Sequence, residues 1–217
     1  MSGLSNQQLP SWRRAVLKVG SNLLAADGGG LTPRFAAALA TFIASSHAAG
    51  RQVVLVSSGA VAAGRALLHA REAPGRDLAA RQAMAALGQA PMIALWQSLS
   101  ARPVAQVLLT HDDLRNRRRY LNARATLQGL LALQALPVVN ENDTVAVDEL
   151  KLGDNDNLAA IVAALVDADL LLIASDVDAL YSADPRRDPA AFRISRGDPV
   201  SPTVMATSGG SGSALGT

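Results

Sequence analysis

Short apolar runs alternate along this chain with longer helical stretches, and this alternation limits the possible folds more than any other feature. The runs predict strands at 15–19, 53–56, 105–110, 137–139 and 170–174. The stretches between them predict helices at 33–50, from near 60, and at 77–99, 121–133 and 155–167. Unbroken β-branched runs separated by helices are typical of parallel strands covered on both faces. The pattern therefore predicts an α/β fold, a three-layer α/β/α sandwich with a mainly parallel central sheet.

Composition excludes several classes of protein. With 49% hydrophobic and 18% charged residues over 217 positions, the chain is predicted to bury a substantial core rather than to be disordered. The absence of cysteine excludes a disulfide scaffold, a thiolate zinc site and a cysteine nucleophile. Net charge is only +2, which does not favour general nucleic-acid binding. The one dense basic run, Arg117 to Arg119, is either a solvated helix face or an anion contact.

The chain ends and hydropathy predict the location and the domain organisation. No run approaches the roughly 18 apolar residues of a membrane helix, and the polar segment 1–10 is not a secretory signal, so a cytoplasmic protein is predicted. Residues 1–13 are predicted as an N-terminal tail and 14–217 as one domain. Residues 184–217, rich in Pro, Ser, Gly and Thr, are predicted to be poorly ordered. The final Gly/Ser stretch is either a flexible tail or a phosphate loop cut off from its helix.

Ligands of such sheets bind beyond the carboxyl ends of the strands, which directs attention to the loops there. Lys18 ends the first strand and precedes the loop Gly20 to Asn22. A lysine in a buried strand needs a partner for its ammonium, so it either contacts a phosphate or extends along the strand edge to solvent. Ser58, after the second strand, either binds an anion at a helix N-terminus or simply caps that helix.

Three further polar clusters follow strands or open helices. Residues 140–143 (Asn-Glu-Asn-Asp) form either a hydrogen-bonding shelf for a polar substrate or a turn. Residues 153–157 (Gly-Asp-Asn-Asp-Asn) either cap the following helix or orient a substrate ammonium or a lysine. Ser175 and Asp176 suit a ribose or a magnesium-bound phosphate, or form an Asx-type turn. P-loop, protein-kinase and α/β-hydrolase motifs are absent from the sequence.

Together these pieces resemble the amino acid kinase family, and within it the glutamate 5-kinase group. The resemblance covers roughly residues 14–217, and the order of the motifs makes it specific. The matching stretches are VLKVGS (16–21), VLVSSGAVAAG (54–64), QAMAALGQ (82–89), YLNARAT (120–126), PVVNENDT (137–144), GDNDN (153–157) and LYSADPR (180–186).

The resemblance implies a function. Members of that group transfer the γ-phosphoryl group of ATP to the side-chain carboxylate of L-glutamate, which gives L-glutamyl 5-phosphate in the first step of proline biosynthesis. By this resemblance Lys18 would contact ATP phosphates, and Asp156 would orient the catalytic lysines. Three residues would bind glutamate: Ser58, Asp143 and Asn155. Two would line the nucleotide site: Ser175 and Asp176. Magnesium is expected with ATP, and no residue is assigned as a metal ligand.

The resemblance also leaves alternatives. Family members continue beyond the final Gly-Thr of this chain into a loop with a second phosphate-contacting lysine, and many carry a further PUA domain. The chain is therefore expected to be a C-terminally incomplete kinase domain. The alternatives are a non-catalytic amino-acid-binding member, or a kinase acting on aspartate, acetylglutamate or carbamate. A homo-oligomer and feedback inhibition by proline are expected by analogy; nucleic-acid and membrane partners are not.

Overall fold

A computed structural model of the chain describes residues 9–24, 31–68, 77–146, 155–176, 179–183, 188–194 and 197. The strands are β1 (Arg14–Val19), β2 (Gln52–Ser57), β3 (Val104–Leu109), β4 (Leu136–Glu141), β5 (Leu170–Ala174), β6 (Leu180–Tyr181) and β7 (Arg193–Ile194). The helices are α1 (Ser21–Leu24), α2 (Pro33–Ala48), α3 (Ala60–Leu67), α4 (Leu78–Leu99), α5 (His111–Arg115), α6 (Arg117–Ala132) and α7 (Asn155–Leu165). Most of the segment predicted to be poorly ordered lies outside the described residues.

Five parallel strands form the central sheet in the order β3-β4-β2-β1-β5. This confirms the predicted mainly parallel α/β fold. Strand β1 lies between β2 and β5, and its residue Lys18 is in register with Val56 on one side and Ile173 on the other. A separate antiparallel pair, β6 and β7, was not predicted.

Two hydrophobic cores cover the two faces of the sheet and make the structure three-layered. One core joins the sheet to α2 and α4 through residues such as Ile43, Met92 and Trp96. The other joins it to α6 and α7 through residues such as Leu127 and Val162. Because successive strand residues point to opposite faces, the register of β1 sends Ala15, Leu17 and Val19 into the first core and Val16 into the second. By the same alternation Lys18 points toward α7.

Two element boundaries differ from the sequence-based prediction because of side-chain caps. Helix α6 begins at Arg117 rather than at Leu121, since the Asn116 side chain accepts hydrogen bonds from the N–H groups of Arg118 and Arg119. The dense arginine run thus forms the exposed first turn of α6. Strand β3 ends at Leu109 because Thr110 is the N-cap of the unpredicted helix α5, in a reciprocal capping box with Asp113.

Helices α3 and α4 approach each other through two glycines. A Cβ atom added to Gly88 would lie 1.7 Å from the carbonyl oxygen of Ala60, and one added to Gly64 would lie 1.9 Å from the carbonyl oxygen of Met84. Each glycine therefore faces the backbone of the other helix. This close contact holds the N-terminal end of α3, and the turn before it, against α4.

A cavity of about 200 Å³ lies in the first core between α2, α4 and β4. His47, Trp96 and Arg102 are among its lining residues. Burial, with a further contribution from the positive charge of Arg102, lowers the pKa of His47 below its ordinary value of 6.5. The neutral imidazole is therefore the form that this core accommodates.

This lowered pKa makes stability depend on pH. The unfolded chain binds a proton at His47 more readily than the folded chain does. The contribution of the neutral His47 to the free energy of unfolding is therefore fully present above pH 6.5 and is lost as the pH falls below that value. We expect the free energy of unfolding, from urea titrations at about pH 8 and about pH 5.5, to fall more in the wild type than in His47→Leu. An equal loss of the free energy of unfolding in the wild type and in His47→Leu would contradict a lowered pKa of His47.

Candidate active site

The carboxyl ends of β4, β2 and β1 lie side by side at one edge of the sheet. Here the helices that follow neighbouring strands switch from one face of the sheet to the other. The chain leaves β2 toward α3 and α4 on one face, whereas the element after the neighbouring strand β4 is α7 on the other face. In open α/β sheets the crevice between such strands is the usual ligand site. Several of the polar residues singled out in the sequence lie at this edge.

Lys18 is held by an ion pair at the end of β1. Its side chain is 1% exposed, and its Nζ lies 2.7 Å from Oδ1 of Asp156, which is 36% exposed. Asp156 is in the first turn of α7, where a carboxylate also complements the helix dipole. The pair joins a buried ammonium to a carboxylate that reaches solvent, so the charge is fixed in place at the rim of the crevice. Of the sequence-based alternatives, the structure supports a partnered lysine and not one that extends to solvent.

A second cluster joins β2, β4 and α7 by hydrogen bonds. Asn155 Nδ2 donates to Ser58 Oγ at 2.6 Å and to Asn140 Oδ1 at 3.2 Å. Asn140 is buried, while Ser58 and Asn155 are partly exposed. The Asn155 amide is thus oriented by two partners, one in the turn after β2 and one in β4.

Ser58 does not cap the following helix. The N-cap of α3 is Gly59, whose φ of 106° is in the left-handed region, and this cap residue makes no side-chain capping bond. The alternative of a simple Ser58 cap is therefore wrong. The strand's last residues instead turn sharply at Gly59, which brings the Ser58 hydroxyl to Asn155 of α7.

Hydrogen bonds join the loops after β1 and β5, on the side of Lys18 that faces away from β2. Asn22 Nδ2 donates to Oδ2 of Asp176 at 3.1 Å, and Gly20 N donates to the carbonyl oxygen of Ala174 at 3.1 Å. Ser175 and Asp176 are both exposed at this edge. These two residues, predicted to line a nucleotide site, therefore lie on the β5 side of the lysine.

Asp143 lies in the turn that follows β4, partly exposed. Next to this turn is a polar cavity of about 430 Å³, with Asn142, His111 and Arg119 in its lining. Asp113 also lines this cavity; although slight burial opposes the shift, hydrogen bonds from Thr110 and the charge of Arg119 lower the pKa of its carboxyl group. Polar groups thus continue along this edge of the sheet from β1 to β3, and the cavity lies at its β3–β4 end.

The described part of the chain holds no group of three or more His, Asp or Glu side chains arranged to bind a metal ion. None of its helices is long and apolar enough to cross a membrane.

The fold and this edge define an α/β protein with a candidate ligand site at the carboxyl ends of a parallel sheet, next to a buried lysine. Its sequence matches the amino acid kinase family over residues 13–212, and the chain belongs to that family.

The chain is also similar in sequence to individual named proteins. The chain is 70% identical over 202 residues to the glutamate 5-kinase of Xanthomonas campestris pv. campestris strain 8004, covering 93% of this chain and 56% of that protein. It is 66% identical over 216 residues to the glutamate 5-kinase of Xylella fastidiosa strain M12, covering 100% of this chain and 56% of that protein. The chain thus spans about half the length of these relatives.

A solved structure supports the fold independently. The UMP kinase of Bacillus anthracis superposes with a TM-score of 0.55 at 17% identity, covering 84% of this chain and 72% of that one. At this identity the likeness bears on the fold alone.

Some residues of the site were not singled out individually in the sequence. Asn140 was recognised only as part of a polar cluster, and its burial beside Asn155 required the structure. The Asn22–Asp176 bond joins two loops 154 positions apart, for which no local pattern exists. A buried contact between Trp96 and Ser57, directly behind the site, was also missed.

Proposed function

We propose that this chain provides the acceptor site and part of the nucleotide site of a kinase that transfers the γ-phosphoryl group of ATP to the side-chain carboxylate of L-glutamate. The observation that carries the proposal is the arrangement at the strand ends: Lys18 of β1 pairs with Asp156, and the adjacent Asn155 bonds to Ser58 after β2 and to Asn140 of β4. The high identity to proteins named glutamate 5-kinase supports the choice of acceptor.

Phosphoryl transfer to a carboxylate depends more on the positioning of the two substrates than on acid–base catalysis. A glutamate side chain has a pKa of about 4.3, so its carboxylate is already a nucleophile at neutral pH and needs no general base. One carboxylate oxygen attacks the γ-phosphorus in line while the bond to the β–γ bridging oxygen breaks and ADP leaves. Negative charge on the transferring group is stabilised by a preorganised cation, the role we assign to Lys18.

The other residues hold the two substrates. Ser58 and Asn155 would bind glutamate through their hydroxyl and amide groups, and Asp143, in the turn after β4, would bind its ammonium group. Ser175 and Asp176 would bind the nucleotide beside Lys18. Asp156 keeps the ammonium of Lys18 directed at the rim, so that its charge is in place before ATP arrives.

Magnesium would bind at this site together with the nucleotide phosphates and not in a site made of protein ligands alone. Mg²⁺ is usually held by one or two carboxylates together with substrate phosphates, and it would supply further stabilisation of phosphate charge. Asp156 and Asp176 are two carboxylates at this edge near Lys18, and they are the ones that would hold the ion.

Further parts of the proposal rest on the resemblance. The relatives are longer than this chain, and the resemblance implies that a second phosphate-contacting lysine lies beyond the stretch that this chain spans. Assembly into a homo-oligomer, inhibition by proline and a place in the cytoplasm remain predictions.

The test is ATP- and magnesium-dependent formation of acyl hydroxamate across a panel of acceptors, in the wild type and in Asn155→Ala. We expect glutamate to be preferred over aspartate, acetylglutamate and carbamate. The variant should raise the KM for glutamate about tenfold, because it removes a hydrogen-bonded polar group from the site, and should change the KM for ATP less than about twofold.

The matched control is Gln106→Ala, which removes an exposed side-chain amide of β3 that donates a hydrogen bond to Gln89 Oε1. It should leave both constants unchanged. Preference for another acceptor would overturn the assignment to glutamate, and binding of glutamate without turnover would identify a non-catalytic member.

A further inference from the structure

Trp96 makes a buried hydrogen bond directly behind the acceptor site. Its indole Nε1–H donates to Ser57 Oγ at 3.0 Å, and the two residues are 1% and 0% exposed. Trp96 lies near the end of α4, on the face of the sheet opposite α7. A buried indole N–H needs a partner, and here that partner is the last residue of β2, next in the chain to Ser58.

The Trp96–Ser57 hydrogen bond is the first of a series of hydrogen bonds that leads from one face of the sheet to the other. Ser57 Oγ lies 3.3 Å from the carbonyl oxygen of Ser58, to which it donates, and Ser58 Oγ accepts from Asn155 Nδ2. A serine hydroxyl has a single hydrogen, so occupation of a lone pair by the indole leaves that hydrogen to the Ser58 carbonyl. The series therefore joins the α4 layer to Asn155 of α7 through the turn that carries Ser58.

The orientation of the turn depends on the packing of α3 against α4 and on several directional contacts. Gly59 has a φ of 106°, a conformation that a glycine adopts without strain but does not by itself enforce. Space next to Gly59 is filled by Leu24 and Leu31, which pack without directional bonds. Among the directional contacts at this turn, Ser58 N donates to the carbonyl oxygen of Val19, Ser58 Oγ accepts from Asn155, and Ser57 Oγ accepts from Trp96.

We propose that Trp96 is a positioning residue of the acceptor site, acting through Ser57 to hold the Ser58 hydroxyl where it binds the acceptor carboxylate. This inference rests on the proposed function. Trp96 does not touch the substrate; its indole N–H fixes the end of β2 from the rear. Loss of that bond loosens the turn and weakens acceptor binding, and the nucleotide side of the crevice, on β1 and β5, is unaffected.

Trp96 also lines the cavity of about 200 Å³ in the first core, so its substitution alters packing as well as hydrogen bonding. Two substitutions separate these effects. Trp96→Phe removes the N–H together with part of the ring, whereas Ser57→Ala removes only the hydroxyl and keeps the indole. Ser57→Thr retains a hydroxyl at that position and is the conservative variant expected to restore binding.

The experiment compares Trp96→Phe, Ser57→Ala, the double variant and Ser57→Thr with the wild type. We expect each of the first two to raise the Kd and the KM for glutamate about five- to tenfold, with KM for ATP within about twofold. The double variant should be no worse than the single ones, because both remove the same bond. Ser57→Thr should stay close to the wild type.

The control is Trp12→Phe, the other tryptophan of the chain. Trp12 is buried in the same core, where it contacts Phe42 and Arg51 near the amino ends of the strands. Its substitution perturbs core packing to a similar degree and should leave glutamate binding unchanged. Unchanged glutamate constants in Trp96→Phe and Ser57→Ala, or an equal rise in Trp12→Phe, would overturn the positioning role.

A second readout does not depend on turnover. Amide hydrogen exchange at residues 57–60 should be about tenfold faster in Trp96→Phe and Ser57→Ala than in Trp12→Phe, because the turn opens more often. Equal exchange in all three would overturn the inference. If the wild type neither binds nor phosphorylates glutamate, the proposed function fails, while the exchange rates still decide whether Trp96 holds this turn.

Discussion

Replacing Lys18 by methionine should lower kcat for glutamyl hydroxamate formation by about 10²–10³-fold, with a much smaller change in the KM for glutamate. Loss of one preorganised cation or donor at a transferring group raises the activation free energy by about 3 kcal/mol or more. Methionine keeps the length and the apolar stem of the lysine, so the side chain still fills the buried end of β1. Its partner Asp156 is 36% exposed, so water can reach its carboxylate when the ammonium is gone, although the pairing oxygen Oδ1 is itself buried.

The control for this prediction removes a positive charge elsewhere. Arg51 precedes β2 at the amino end of the sheet, opposite to the crevice, and its guanidinium lies over the ring of Trp12. Arg51→Met changes the net charge by the same amount as Lys18→Met and should retain full activity. The assignment of Lys18 would be refuted by a folded Lys18→Met protein with wild-type kcat.

Replacing Gly88 by alanine should lower the free energy of unfolding by about 3 kcal/mol, a large fraction of the stability of an ordinary domain. The added Cβ would lie 1.7 Å from the carbonyl oxygen of Ala60, so α3 and α4 must move apart. The obstacle is backbone and not a flexible side chain, so no rotamer change relieves it. Because α3 follows the Ser58 turn, the same shift should weaken glutamate binding.

Gly129→Ala is the matched control, since Gly129 is also inside a helix but a Cβ there meets nothing within 4 Å. Alanine at an open helical position should stabilise the protein by up to about 1 kcal/mol, through helix propensity and the lower entropy of the unfolded chain. Urea unfolding of the two variants gives the comparison. Similar stabilities for Gly88→Ala and Gly129→Ala would show that the helices do not require close approach at Gly88.

Local sequence patterns were sufficient to predict the fold class and most elements. Strand β5 was predicted with its observed bounds, and β1 and β2 within a residue at each end, because each is a short, mainly apolar run with polar or glycine residues next to it. The starts of α2, α3 and α7 agree with the prediction, whereas α6 begins at Arg117 and not at Leu121, and α5 was not predicted. The early start of α6 at Arg117 and the presence of α5 depend on the side chains of Asn116 and of the Thr110–Asp113 pair, and both capping signals stand in the sequence.

The sequence by itself determined an α/β sandwich, a lysine at the end of a buried strand, and polar clusters at the strand ends. These are local properties, set by hydrophobic period and by residue type within a few positions. Only the tertiary structure decided that Lys18 pairs with Asp156, that Ser58 bonds to Asn155 97 positions away, and that Trp96 supports Ser57. Such pairings depend on strand order, register and helix layer, which bring distant residues together and leave no trace in local spacing.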